Sequence, residues 1–241
     1  MARILLLETS TATLSVALSA DGKVVAERIC TEPRQQASLA APLVKEVLDE
    51  AGLSMADCDA VCVSKGPGSY TGLRVGVSTA KGLCFGAGIP LIAIGTLDVL
   101  VAGAKEIPGQ AGNDDNSVMA GSDRPSFIVP MIDARRMEVY TAVFSPEGKQ
   151  LTPVEARVIG PDSFAKELSE GPILFIGDGA LKCKEVLTSP NAFFQKADPL
   201  ARDMAPLSEA AWQEKRFEDL AYFEPFYLKD FIATVSRKNL F

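Results

Sequence analysis

Residues 64–88, SKGPGSYTGLRVGVSTAKGLCFGAG, contain the end of an apolar strand, a glycine-rich loop and a helix with one nearly bare side. Helical spacing places small residues one above another along that side. This row and the residues beside it are Gly72, Gly76, Ala80, Thr79 and Leu83. Because interior glycines cost roughly 1 kcal/mol each relative to alanine, the row indicates close packing by another backbone. That backbone belongs to this chain's own sheet or to a second helix, such as one from another chain, and the spacing fits both alternatives.

The composition is that of a folded protein with a sizeable core. The chain has 241 residues, of which 47% are hydrophobic, and this is enough for one two-lobed unit or two small domains. No apolar run reaches the roughly 18 residues that a membrane helix needs, and residues 1–3 lead directly into a strand rather than a signal sequence. We therefore expect a cytoplasmic protein with no membrane contact.

The absence of histidine limits the chemistry that this chain can perform. Histidine is the commonest metal ligand and the commonest general base, so metalloprotease and Ser-His-Asp chemistry are excluded. The five cysteines are odd in number and scattered, which indicates reduced thiols rather than disulfides or a metal site. A net charge of −7 argues against a broad phosphate-binding surface. We therefore predict no metal ligands in this chain.

The order of predicted elements in the first half is repeated in the second half. Each half begins with three extended segments joined by a Gly-Lys turn and continues with a helix and a further strand. The predicted strands are 4–7, 13–19, 23–29, 60–64 and 89–94, then 127–132, 138–144, 150–159 and 173–176. The predicted helices are 38–51, 71–85 and 96–105, then 161–168 and 200–215. This internal duplication predicts an α/β protein with the two-lobed actin-like ATPase fold, in which a ribonuclease-H-like unit is used twice.

The composition also predicts the division into lobes. Residues 107–124 are rich in Gly, Asn, Asp and Ser without an apolar period, and they indicate an exposed connection. We therefore assign 1–106 to a first lobe that carries the association helices and 125–241 to a second lobe. The aromatic tail at 222–228 is apolar enough to dock, and we expect it to be able to pack back on the first lobe.

In an actin-like architecture a nucleotide lies between the lobes and is contacted by hydroxyl and carboxylate groups that follow the first strands. Thr9, Ser10 and Asp133 stand at such positions, and they are our nucleotide-binding candidates. The simpler alternative is that they are turn residues that satisfy their own backbone. The glycine loop at 66–72 lacks the Gly-Lys-Ser/Thr ending of a P-loop, so it is a weak phosphate signal.

Six stretches resemble successive signatures of the TsaB (YeaZ) family, which is related to the TsaD glycoprotease-like branch of the actin-type superfamily. They are ILLLETSTATLSVAL, SKGPGSYTGLRVGVSTAKGLCFG, IGTLDVL, MIDARRMEVYTAVF, FIGDGA and FYLKD. The resemblance implies a non-catalytic subunit that works with TsaD in forming N6-threonylcarbamoyladenosine at position 37 of tRNA. The related catalytic proteins hold a metal through a His-x-x-x-His pair, which this sequence cannot form.

The resemblance also implies partners and an interface. It implies a heterodimer with TsaD, a further ATPase partner TsaE, a homodimer when TsaD is absent, tRNA contact only through the complex, and ATP or ADP only in the assembled complex. Family members pair through helices of the first lobe. On this sequence the implied interface residues are Leu39, Leu43, Val47, Gly72, Gly76, Thr79, Ala80 and Leu83. We accordingly expect Gly76→Leu to leave the monomer folded and to abolish assembly.

Two enzyme functions compete with this interpretation. An ATP-dependent small-molecule kinase of the same superfamily would need a competent magnesium-nucleotide site between the lobes. A peptidase would need an activated nucleophile, and no serine, cysteine or lysine of this sequence stands beside an evident activating base.

Overall fold

The first sheet has five strands, and residues near the amino terminus supply its centre. The computed structural model describes residues 2–32, 34–105 and 124–229. The strands are β1 (Arg3–Glu8), β2 (Leu14–Ala20), β3 (Lys23–Cys30), β4 (Ala60–Gly66) and β5 (Leu91–Gly95), in the order β3-β2-β1-β4-β5. β1 is antiparallel to β2 and parallel to β4, which is parallel to β5. Asp21 and Gly22 both have positive φ, 50° and 72°, which confirms the predicted hairpin turn.

The second sheet repeats this arrangement. Its strands are β6 (Phe127–Asp133), β7 (Glu138–Thr141), β8 (Glu155–Val158), β9 (Ile173–Ile176) and β10 (Ala192–Gln195), in the order β10-β9-β6-β7-β8. β6 takes the place of β1, with an antiparallel neighbour on one side and parallel strands on the other. The duplicated α/β fold predicted from the sequence is therefore confirmed, although β10 was not predicted.

Five helices accompany the two sheets in the described part of the chain. They are α1 (Gln36–Glu50), α2 (Tyr70–Ala87), α3 (Thr96–Lys105), α4 (Ala165–Glu170) and α5 (Ala205–Gln213). α1 and α2 cover one face of the first sheet and form a core with apolar residues of β1, β2 and β4. Two helices begin later than predicted. The helix predicted from residue 161 begins at Ala165, and the helix predicted from residue 200 begins at Ala205, after a 3-10 turn at Ala201–Met204.

The last helix of each half contributes residues to the core of the other half's sheet. Ala205 and Ala211 of α5 belong to a core with Ile4 and Leu6 of β1. Conversely, α3 contributes three residues to a core with the second sheet, namely Leu97, Leu100 and Val101. Such crossed packing joins the two sheets through buried apolar surface rather than through a linker alone.

The tail after α5 returns to the first sheet. The Glu218 backbone N–H donates to the Leu91 carbonyl at 2.8 Å, and Leu220 and Phe223 pack against the core under α1 and α2. The lobe boundaries at 1–106 and 125–241 stay predictions, and residues 107–123 of the predicted connection lie outside the described residues. Among the described helices, none has both the length and the apolar character that crossing a bilayer requires.

We expect Leu97→Ala to destabilise the protein by roughly 2–5 kcal/mol, because Leu97 is only 1% exposed and joins α3 to the second sheet. Urea unfolding measures the change. Leu151→Ala is the control, because Leu151 is 49% exposed and its truncation should cost less than about 0.5 kcal/mol. Equal effects of the two substitutions would contradict the crossed packing.

Candidate functional site

The turn between β1 and β2 packs directly on the first turns of α2. The Thr9 hydroxyl donates to the Gly72 carbonyl at 2.9 Å, and the Ser69 backbone N–H donates to the Ser10 carbonyl at 2.7 Å. Ser69 also begins the helix, because its hydroxyl accepts a hydrogen bond from the Gly72 N–H. A Cβ atom at Gly72 would collide with the Thr9 carbonyl oxygen, and one at Gly76 would collide with the Thr9 hydroxyl. The glycines are therefore required by the close approach of Thr9 in this chain's own β1–β2 turn.

This contact corrects the predicted interface. Gly72, Gly76 and Ala80 are buried in the chain itself, which favours the first of the two alternatives for this row, packing within the chain's own fold. Leu43 and Val47 are also buried, because they form the core between α1, α2 and the sheet. The remaining interface candidates, Leu39, Thr79 and Leu83, are half-buried at the edges of these helices. Their role in binding a partner stays a prediction.

A second row of small residues on α2 faces outward. It consists of Ser78, Gly82 and Gly86, all of them exposed, and we call it the outer row. A Cβ atom at Gly82 or at Gly86 would meet no other atom within 4 Å. Phe85 lies beside this row and is 84% exposed. We call the buried row of Gly72, Gly76 and Ala80 the inner row. The four-residue spacing that indicated the inner row is also present in the outer row, so the sequence contained a signal for a feature that we did not predict.

The predicted nucleotide contacts of the first lobe are covered. Thr9 and Ser10 are buried, and a Cβ atom at Gly68 of the glycine loop would collide with the Ser10 carbonyl oxygen. Asp133 instead lies at the end of β6, where it forms an ion pair with Lys182 at 2.5 Å and accepts a hydrogen bond from the Arg135 N–H. No hydrogen bond or ion pair within the described ranges joins Asp133 to Thr9 or Ser10.

A buried carboxylate lies beneath the same turn. Glu8 Oε1 accepts hydrogen bonds from the Ser10 N–H at 2.6 Å and from the Ser64 hydroxyl at 2.9 Å. Glu8 Oε2 and the hydroxyl of Thr96 are buried without a hydrogen-bond partner among the described residues. Burial raises the pKa of Glu8 to about 7, against the lowering effect of its hydrogen bonds. The carboxyl group therefore changes charge near neutral pH inside the first lobe.

The described residues contain no group of three or more His, Cys, Asp or Glu side chains placed to hold a metal ion. The thiols of Cys62 and Cys84 are buried, and burial raises their pKa values, which disfavours the nucleophilic thiolate.

Known proteins provide an independent comparison. The family model described as TsaD, tRNA N6-adenosine threonylcarbamoyltransferase, matches residues 31–235. A tRNA threonylcarbamoyladenosine biosynthesis protein, TsaB of Escherichia coli, is 28% identical over 239 residues, which are 96% of each chain. The TsaB of Bacillus subtilis is 28% identical over 231 residues, 94% of this chain and 93% of its own. The chain belongs to the TsaB (YeaZ) family, and the TsaD family model matches most of its length.

Solved structures agree with this membership. YeaZ from Pseudomonas aeruginosa has a TM-score of 0.77 and 27% identity, and the match covers 95% of this chain and 100% of the YeaZ chain. The activator of 2-hydroxyisocaproyl-CoA dehydratase from Clostridium difficile has a TM-score of 0.50 at 10% identity, and the match covers 89% of this chain and 97% of that one. The second likeness concerns the actin-like fold alone.

We expect Gly76→Leu to lower the free energy of unfolding by roughly 1–3 kcal/mol or more, because the new side chain has to displace Thr9. The matched variant Gly82→Leu should be as stable as wild type or up to about 1 kcal/mol more stable, because leucine favours a helix and meets only open space. Urea unfolding compares the two, and a Gly76→Leu protein of wild-type stability would contradict the inner-row packing.

We expect Glu8→Gln to stabilise the protein increasingly as the pH rises. The folded-state pKa of Glu8 is raised from 4.5 to about 7. The favourable contribution of this carboxyl group to the free energy of unfolding is therefore complete below about pH 4.5 and is lost as the pH rises through 7. Glutamine avoids this loss, and the gain near pH 8 should be on the order of 1–3 kcal/mol. Denaturation at pH 5 and pH 8 measures it, with the exposed Glu185→Gln as control. A difference between Glu8→Gln and wild type that does not change with pH would contradict the raised pKa.

Proposed function

We propose that this chain is a non-catalytic subunit of the cytoplasmic complex that forms N6-threonylcarbamoyladenosine at position 37 of tRNAs reading ANN codons. In that complex it binds and activates TsaD. Two kinds of observation support the proposal. The chain belongs to the TsaB family, whose curated members from three bacteria are named as biosynthesis proteins of this nucleoside. It also exposes a helix face suited to close packing by another helix.

The outer row of α2 is the observation that carries the proposal. Small residues four positions apart let two helix backbones approach closely, and Phe85 supplies exposed apolar surface next to them. A glycine at an exposed helix position gives up stability relative to alanine, so two of them at Gly82 and Gly86 favour a packing role. We propose that Leu39, Thr79 and Leu83 lie at the borders of this interface.

The burial of Thr9 and Ser10 in the β1–β2 turn supports a non-catalytic role. Thr9 and Ser10 would have to be uncovered before they could contact a phosphate, because the glycine loop lies on them. In this proposal nucleotide enters only with the assembled complex, TsaE is the further partner, and tRNA is held by the complex. In the absence of TsaD, two copies of this chain pair through the same outer row.

A small-molecule kinase is the competing function, and the covered turn disfavours it. Calorimetry of the isolated chain with ATP and magnesium separates the two. The proposal expects no stoichiometric binding, whereas tight binding would favour the kinase. A second experiment measures tRNA modification by a mixture of this chain with TsaD, TsaE, the threonylcarbamoyl-AMP-forming enzyme and tRNA. Modification should require this chain, and turnover of a threonylcarbamoyl donor by this chain alone would contradict the proposal.

We expect Gly82→Leu to weaken binding to TsaD by roughly a hundredfold or more, because a leucine side chain cannot be accommodated in a close helix crossing. Titration calorimetry with purified TsaD measures the dissociation constant. Gly160→Leu is the matched control, because a Cβ atom at Gly160 in the second lobe also meets only open space. Wild-type affinity of the Gly82→Leu protein would place the interface elsewhere.

A further inference from the structure

A groove of about 370 Å³ runs beside the outer row. One wall is the edge of α2, and the other is residues 223–227 of the tail, so we call it the strap groove. The lining residues used below are Tyr70, Arg74, Ser78, Lys81, Glu224 and Tyr227. Ser78 belongs both to the strap groove and to the outer row, so the two surfaces are continuous.

Several contacts fix the shape of the strap groove. The Lys81 ammonium donates to the carbonyls of Ala221 and Phe223 at 3.2 and 3.1 Å. The Phe226 backbone N–H donates to the Lys65 carbonyl at 2.7 Å. The rings of Tyr70 and Tyr227 lie 4.7 Å apart between their centres. These contacts hold the tail against α2 before any partner arrives, which lowers the ordering cost of binding.

Arg74 is the cation that the strap groove presents to solvent. Its guanidinium carbon lies 5.5 Å from the centre of the Tyr70 ring, and no carboxylate within the described ranges comes within ion-pair distance of it. Lys81 differs, because its ammonium already binds two carbonyls. Stacking on a ring leaves the guanidinium N–H donors available, and their planar arrangement matches a carboxylate in bidentate geometry.

Docking on the outer row would bury this cation. Arg74 precedes Ser78 by one helical turn, so a helix packed along the row passes next to the guanidinium. A buried charge without a partner is costly, and a complementary charge across the interface removes that cost and selects the correct partner. What distinguishes Arg74 from other exposed arginines such as Arg136 is its place in a groove that is continuous with the outer row.

We propose that a helix of the TsaD-type partner places an Asp or Glu carboxylate in the strap groove, where Arg74 binds it. Tyr70 and Tyr227 pack against the methylene groups of that acidic side chain, and Ser78 lies at the entrance. This inference rests on the proposed function, since it specifies the chemistry of the partner that docks on the outer row.

The test measures the affinity of purified TsaD for variants of the full chain by calorimetry at two salt concentrations. Arg74→Gln should weaken binding by roughly thirtyfold or more and should reduce the salt dependence of the dissociation constant. Arg74→Lys should retain part of the affinity, because it keeps the charge and loses the bidentate geometry. Arg136→Gln, which removes an exposed arginine of the second lobe, is the matched control.

The outcomes separate this inference from the proposed function. If Gly82→Leu abolishes binding while Arg74→Gln binds like wild type, docking on the outer row stands and the carboxylate in the strap groove is overturned. Arg74→Gln could weaken TsaD binding in the otherwise wild-type chain and have no effect in a Glu224→Gln background. In that case Arg74 interacts with Glu224 of its own tail rather than with the partner, which also overturns the inference. Loss of affinity with Arg74→Gln in both backgrounds, partly restored in Arg74→Lys, supports it.

Discussion

The orientation of α2 on the first sheet follows from its contact with the β1–β2 turn. The Thr9 hydroxyl and carbonyl lie against Gly72 and Gly76 so closely that no Cβ atom fits between them. This contact fixes the rotation of α2 about its own axis. Once that rotation is fixed, the small residues half a turn away on the helix necessarily face outward, and the helix presents a second bare face to solvent.

The same contact links the fold to the choice between an enzyme and a binding subunit. In covering the β1–β2 turn, the glycine loop encloses Glu8 and the hydroxyl groups around it. A carboxylate kept under such a cover has a raised pKa and does not reach solvent. Thr9 and Ser10 are thus covered in this lobe, while the outer row on the opposite side of α2 is exposed.

The sequence predicted the features that depend on local patterns. The Asp21-Gly22 turn, the meander and the duplication all follow from residue types and periods that act over a few positions. It could not decide which of two glycine rows on α2 faces inward, because spacing defines a face but not the direction in which that face points. It missed β10, because AFFQ shows neither an alternation nor a run of four apolar residues such as the ILFI of β9. The crossed packing of Leu97 and Ala211 depends on tertiary contacts between distant segments, which no local pattern contains.

We propose that the outer face of α2 receives the partner. Hydroxyl-radical footprinting of the chain with and without TsaD tests it most directly, because Phe85 is 84% exposed and reacts readily in the free protein. Leu151 of the second lobe, 49% exposed, reports on surfaces away from the interface. We expect TsaD to protect Phe85 from oxidation and to leave the oxidation of Leu151 unchanged. Unchanged oxidation of Phe85 in the assembled complex would contradict it.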